Sequence, residues 1–426
     1  MSNEPYVRTE MLSEQPAPLG ETGVIRWMRE NLFSSIGNSI LTVLSLVVVF
    51  LMLKAFLPWA IQPSWSSGSL RQCIDDPNIT GACWGVIRDR FNQLMFGFYP
   101  HDAQWRAIAA FVLMLVAIAP VLFDKLPRKL MIFSAVFPFL GVWLLWGGTI
   151  WAPLLVLAGF AIGYFVNKAL TGIAGNLAGM ILGVLATLIW WLYGVAPVSD
   201  ILSSVAPIGI EAIESSKFGG LMLSITIGVS GIALSLPIGI VLALGRQSDM
   251  FIIKTLSVGF IEFIRGVPLI TLLFVASVLL NFFLPPGTNF DLILRVIIMV
   301  TIFASAYMAE TIRGGLAALP TGQFEAADAL GLDYWQSMRL IIMPQALKIS
   351  IPGIVGTFIG LFKDTTLVSI IGLLDPVGLV KTIQGHADWN GIVWELYIFI
   401  ALMFWVFTFS MSRYSMYLEN KLKTTH

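Results

Sequence analysis

Ten apolar stretches, each close to twenty residues long and nearly free of charge, constrain this chain more than any other feature. They run over residues 36–57, 106–123, 130–148, 151–167, 173–194, 219–244, 259–284, 290–309, 350–374 and 393–414. A spanning helix needs about 20 consecutive apolar residues, and the core of a water-soluble domain has no use for so many. Hydrophobic residues make up 57% of the chain and charged ones only 12%. The fold class is therefore all-α: a polytopic membrane protein of about ten transmembrane helices in a lipid bilayer. Lys and Arg number 25, as do Asp and Glu, so no bulk basic field points to nucleic acid. The first apolar run begins only near Ile36, with no basic segment leading straight into it, and no cleaved signal is expected.

Residues 130–167 carry no charge, and only "GGT" at 147–149 separates the third run from the fourth. Orientation follows from the short loops, because cytoplasmic ones retain Lys and Arg. Lys125, Arg128 and Lys129 in one loop, Arg246 and Lys254 in another, and Arg413, Lys421 and Lys423 in the tail all fall on one side of a ten-span chain. The opposite loop "PPGTNFD" (285–291) has no Lys or Arg. Both termini are expected in the cytoplasm. Lys54, near the end of the first run, snorkels to the interface.

Three regions follow. Residues 1–35 form a polar cytoplasmic segment, loosely ordered apart from an amphipathic "VIRWMRENLF". Residues 36–215 form an extension of about five spans, with a periplasmic loop at 58–105. Residues 216–420 form five spans interrupted by charged and polar side chains, after a weakly apolar break around residue 215. Cys73 and Cys83 are the two cysteines and share the long loop. They are too few for a disulfide scaffold but form one bridge if that loop is periplasmic.

A polar island, "EAADALGLDYWQSMRLIIMP", interrupts the second half at 325–344. Thr321 reads as a helix N-cap, with Glu325 and Asp328 in the early turns where carboxylates suit the positive helix end. Gly331 ends that helix. Asp333 with Gln336 reads as a capping box for a second one, with Trp335, Met338 and Ile342 on one stripe and Pro344 as its stop. The pattern describes two short helices at an angle. They either lie on the lipid headgroups or dock by the apolar face into a groove on another protein.

The pattern alone leaves both open, and a resemblance decides between them. Glu325, Ala326 and Ala327, then Gly331 four residues on, then Ile341, Met343 and Pro344, resemble the EAA loop of bacterial ABC-importer permeases. Met343 stands where leucine is usual, a volume-conserving swap. "FIEFIRGVPLI", "YMAETIRGGLAALPTGQFEAADALG" and "FKDTTLVSIIGLLD" are similar to the polar amino acid (histidine/glutamine-type) branch, over about residues 216–420. The five additional spans are similar to the long permease subunit of general L-amino acid transporters. The resemblance implies an inner-membrane permease with a C-terminal five-helix core. Residues 320–345 would be its coupling loop to cytoplasmic ABC ATPase subunits. It also implies a second permease subunit, forming a heterodimer, and a periplasmic amino-acid-binding protein. No phosphate-binding loop is present, nor a metal cluster or nucleophile–base pair, so catalytic and metal residues are expected to be none and Mg-ATP belongs to the partner ATPase.

Charges within the spans carry the remaining expectations. Lys363 and Asp364, followed by Thr365 and Thr366, lie in the ninth run, where buried ions are costly and functional by default. Adjacent opposite charges suit a zwitterion, and with Thr226 they make the expected substrate pathway; otherwise they hold the bundle through a neighbouring span. Glu262 with Arg265, and Glu310 with Arg313, are i,i+3 pairs at cytoplasmic ends, either helix-end ion pairs or a cytoplasmic gate. His386 lies on the opposite side and is either solvated or a contact for the binding protein. The alternative class, an ion-coupled secondary transporter, would route its ion through Lys363, Asp364, Glu262 and Glu310 but has no need of a docking hairpin.

Overall fold

The computed structural model describes residues 23–77, 79, 81–123, 125–279, 282 and 291–422. The expectations resting on residues 1–22, most of the 285–291 loop and Lys423 lie outside them. Among the described residues, strand is limited to β1 (Gly148–Thr149) and β2 (Gly209–Ile210), paired antiparallel. Nine helices are long and apolar enough to cross a bilayer among the described residues, or ten if the one bent pair is a single span.

The chain divides into two compact units, Met1–Gly85 and Val86–His426. Residues 206–219 are no linker: Ile213 and Phe218 are buried there, and Ile213 N–H reaches Trp146 O at 2.8 Å.

The described part of the first unit holds α1 (Gly23–Asn31), α2 (Ile36–Ile61) and α3 (Leu70–Asp75). Ser35 caps α2 by accepting from Asn38 N–H at 3.1 Å. Beyond α2, Cys73 and Cys83 are bonded, their Cα atoms 6.1 Å apart. The clasped loop packs Trp84 between Trp59 and Trp65, with ring centroids 6.0 and 5.7 Å away.

The second unit starts with α4 (Gly85–Phe96), α5 (Gln104–Leu122), α6 (Met131–Trp146), α7 (Trp151–Ala174), α8 (Asn176–Ile189) and α9 (Val195–Val205). The turn at "GGT" is present as β1. Glycines let α7 and α8 touch: a Cβ on Gly183 would lie 2.7 Å from Gly163 O, the small-xxx-small contact of membrane helices. Trp190 and Trp191 then donate to Leu155 O and Val156 O at 2.8 and 3.0 Å. Through a π turn at Trp190–Gly194 this span continues to Val205, eleven residues past its expected end at 194.

The C-terminal part comprises α10 (Gly220–Gln247), α11 (Phe251–Gly266), α12 (Leu269–Phe274), α13 (Leu292–Ala317), α14 (Thr321–Ala329), α15 (Tyr334–Ser337), α16 (Met343–Asp364), α17 (Pro376–Gln384) and α18 (Trp394–Leu422). The seventh expected span, 259–284, is not straight. It is the bent pair of α11 with Leu269–Leu279, at 98°. Pro268 lacks an N–H and forces Val267 into extended backbone (φ −104, ψ 129). Small residues bring α10 against α13: Cβ atoms at Gly231 and Gly239 would lie 2.9 Å from Val300 and 2.7 Å from Met308. Two apolar clusters result. One gathers Phe218, Leu223, Ile293 and Leu373. The other gathers Ala243, Ile261, Met308, Ile312, Met338 and Ile342 at the opposite end of α10.

Candidate functional site

The polar island folds as a hairpin of short helices, with three corrections to the local reading. Pro320, not Thr321, is the N-cap of α14, and no side chain caps it. Gly331 closes α14 in the left-handed region at φ +71. Its N–H bonds Asp328 O at 2.9 Å and Leu332 N–H bonds Ala327 O at 3.2 Å, which together satisfy the last carbonyls of the helix. The capping box is present, with Asp333 accepting from Gln336 N–H at 2.8 Å.

Pro344 does not stop the second helix. A π turn at Met338–Ile342 carries it directly into α16, with Met343 N–H reaching back to Met338 O. Pro344 then sits in the first turn of α16, where its missing N–H is harmless. The second arm is thus one end of a spanning helix, continuous with it.

The apolar stripe also divides differently. Met338 and Ile342 point inward with Ala327 and Ala346, all buried in the cluster shared with α10, α11 and α13. Trp335 is not on that stripe; it is 70% exposed, and Leu330 is 73% exposed. Glu325 and Ala326 are exposed beside them, Ile341 and Met343 are half-buried, and Gln345 Nε2 donates to Gln323 Oε1 at 3.0 Å, pinning one arm to the other. The hairpin has an anchored face and a free apolar one around the Gly331 turn.

The four charges of the two expected i,i+3 pairs join Arg246 in a cluster across three helices, and one of the two pairs forms within it. Arg246, at the end of α10, donates to Glu262 Oε1 of α11 at 2.7 Å and lies 3.4 Å from Glu310 Oε2 of α13. Glu310 Oε1 accepts from Arg313 Nε at 2.7 Å, so that i,i+3 pair forms. Glu262 and Arg265 do not pair with each other. Arg265 Nη1 stands 4.0 Å from Glu310 Oε2, with its guanidinium over the Tyr307 ring at 5.6 Å. Two charges three residues apart on a helix both turn outward when better partners stand on neighbouring helices. Sequence reasoning counted Arg246 only as a loop charge; its place as the last residue but one of a long apolar helix was the available signal.

Lys363 and Asp364 end α16, where the α-helix passes into a 3₁₀ segment, Thr365–Ile371. They are not mid-way along a continuous helix. Lys363 is exposed and Asp364 half-buried. Thr365 Oγ1 donates to Phe362 O, Thr366 Oγ1 to Lys363 O and Thr226 Oγ1 to Met222 O, at 2.7, 2.9 and 2.8 Å. A Cβ on Gly228 would contact Phe362 and Thr365, so this stretch of α10 adjoins the 363–366 segment. On α16, Gly356 and Gly360 have open space where a Cβ would stand, leaving the helix surface leading toward Lys363 uncluttered.

At the other end of the unit Arg106 and Asp375 are buried and structural. Arg106 is 3% exposed and donates to Leu144 O and Glu211 O at 2.8 and 2.9 Å. It is the lone charge at the start of the second apolar run, a signal the sequence reading passed over. Asp375 is fully buried and caps α17 through Gly378 N–H at 3.0 Å and Val377 N–H at 3.1 Å. Burial pushes its carboxyl up to about 6, against those backbone hydrogen bonds. Trp389, also fully buried, donates to Asp89 Oδ2 at 2.7 Å, and His386 stands 3.3 Å from Asp388. No group of three or more His, Cys, Asp or Glu residues suited to a metal occurs among the described residues.

Residues 235–424 match the family of binding-protein-dependent transport system inner membrane components. Along its whole length the chain is 57% identical to the glutamate/glutamine/aspartate/asparagine transport system permease protein of Rhodobacter capsulatus, a match covering 100% of both chains. It is 40% identical to an inner membrane amino-acid ABC transporter permease protein of Escherichia coli, over 97% of this chain and 98% of that one. Among solved structures, an amino acid ABC transporter crystallised with histidines is 32% identical over 47% of this chain and 92% of its own, with a TM-score of 0.43. These matches leave the ion-coupled alternative without support and imply an ATPase partner and a substrate-binding protein. The chain belongs to the permeases of amino-acid ABC transporters: it is a multi-pass membrane subunit of an ATP-driven importer, and hydrolysis lies on a partner.

Proposed function

We propose that this permease carries acidic amino acids and their amides inward, paired with a second, non-identical permease subunit and served by a periplasmic amino-acid-binding protein. The substrate class is drawn from the name of the Rhodobacter capsulatus relative, which matches over the full length. The loop charges favour an inner membrane with both termini cytoplasmic, so that Leu330 and Trp335 meet the cytoplasmic ATPase. One observation carries the coupling role: an exposed apolar tip at the Gly331 turn, whose other face is buried through Ala327, Met338 and Ile342. A rigid handle with a free apolar end suits transmission of force from a docked subunit.

Within the membrane, Lys363 and Asp364 face the substrate, and the cluster around Glu310 closes the inner end. Lys363 supplies a cation for the substrate carboxylates, and Asp364 a carboxylate for its ammonium. The test is uptake by Asp364→Asn in membranes with matched subunit levels, for acidic, neutral and basic amino acids. A substrate-facing carboxylate predicts unequal losses, because deleting one charge alters the field each substrate feels differently. An equal loss that tracks subunit abundance leaves only a structural role.

A further inference from the structure

The inner charge cluster and the hairpin meet at one residue. A cleft of about 580 Å³ lies between Phe324, Asp328, Tyr334 and Met338 of the hairpin and Arg246 and Lys254 of α10 and α11. The same Arg246 guanidinium holds Glu262 of α11 at 2.7 Å and stands 3.4 Å from Glu310 of α13. Its side chain is only 24% exposed. Arg313 of the same helix holds Glu310 through Oε1, and Arg246 and Arg265 stand 3.4 and 4.0 Å from its other oxygen, which makes no hydrogen bond. Met338 and Ile342 of the hairpin share their apolar cluster with Ala243, one turn before Arg246 on α10. The hairpin therefore has a packed path to Arg246 through Ala243 and α10, and Arg246 also lines the cleft beside it.

We infer that Arg246 is the positioning residue that ties movement of the docking hairpin to opening of the inner end of the pathway. The inference rests on the docking reading of the Gly331 hairpin. Coupling between two sites needs a contiguous element that both can bias, and a guanidinium with several donors can hold two carboxylates at once where an ammonium offers a single point charge. In one arrangement Arg246 bridges α10, α11 and α13; when the hairpin moves, the bridge to Glu262 or Glu310 breaks and the three inner ends part.

The test uses the whole complex in proteoliposomes, measuring amino acid moved per ATP hydrolysed and ATPase with and without binding protein. In Arg246→Met the ATPase subunit should still co-purify, because Leu330 and Trp335 are untouched. ATPase without binding protein should rise and transport per ATP should fall, each by about five-fold or more, the lower end of ordinary allosteric couplings. Arg246→Lys should restore part of the ratio. Glu262→Gln, which removes the charge from the link to α11 and leaves the hairpin side intact, should uncouple in the same direction, and it decides the matter if Arg246→Met does not assemble. A wild-type transport-to-ATP ratio in either Arg246→Met or Glu262→Gln overturns the inference. Loss of the ATPase subunit from Arg246→Met also overturns it, making Arg246 a docking contact. Failure of the docking reading is read separately, in Gly331→Val.

Discussion

Asp375 shows how far a single buried residue departs from its composition class. Its carboxyl is removed from water at the N-terminus of α17, and burial lifts it to about 6 despite the cap hydrogen bonds. An unfolded aspartate titrates near 3.9. Between about pH 4 and 6 the folded chain therefore binds more protons than the unfolded one, and stability rises as pH falls through that window. The sign is opposite to that of a salt-bridged carboxylate. Asp375→Asn keeps a good cap and removes the titration. Thermal denaturation of the purified complex should show wild type gaining on the variant as pH drops from 7.5 to 5, by on the order of 1–2 kcal/mol. A constant difference across that range would mean the carboxyl is not the titrating group.

At the scale of elements, the Gly331 hairpin was legible because its backbone chemistry is local. A left-handed glycine and an Asp–Gln capping box are both decided by residues within four positions of one another. Gly331→Val puts a branched Cβ at φ +71, costing about 1–2 kcal/mol or more for a side chain in that region. No neighbouring atom stands within 4 Å of the added Cβ, so the core should survive and the subunit should still insert. Stimulated ATPase is expected to collapse in the assembled complex. Unchanged stimulation would remove the docking assignment. Which face of the second helix is anchored was not local. Met338, Ile342 and Trp335 look alike as an apolar stripe, and only the packing of α10, α11 and α13 separates the buried pair from the exposed tryptophan. Pro268 was the signal for a break between α11 and α12, but the size of the bend, 98°, is not set by the sequence around it.

For the molecule as a whole, the topology makes a chemical prediction. Cys73 and Cys83 lie ten residues apart beyond the end of α2, and a loop that short gains about 2–3 kcal/mol from cross-linking in the chain-entropy model. If residues 58–105 face the oxidising side, non-reducing peptide mapping of protein from intact cells should recover the linked pair. Two free thiols there would overturn the outward placement of that loop and, with it, the cytoplasmic N-terminus.

What the sequence determined by itself is what short-range chemistry and the bilayer dictate. Spanning segments follow from runs of about twenty apolar residues, because unpaired backbone groups cannot face lipid. The hairpin follows from its glycine and its caps. Tertiary structure alone decided the partners of side chains that had more than one within reach. Glu262 turns to Arg246, sixteen residues away, rather than to Arg265 on its own helix. Arg106 turns to carbonyls 38 and 105 residues on. Arg106, buried, takes the partners that replace its lost water, and for both charges which partner stands nearest is set by how the helices cross.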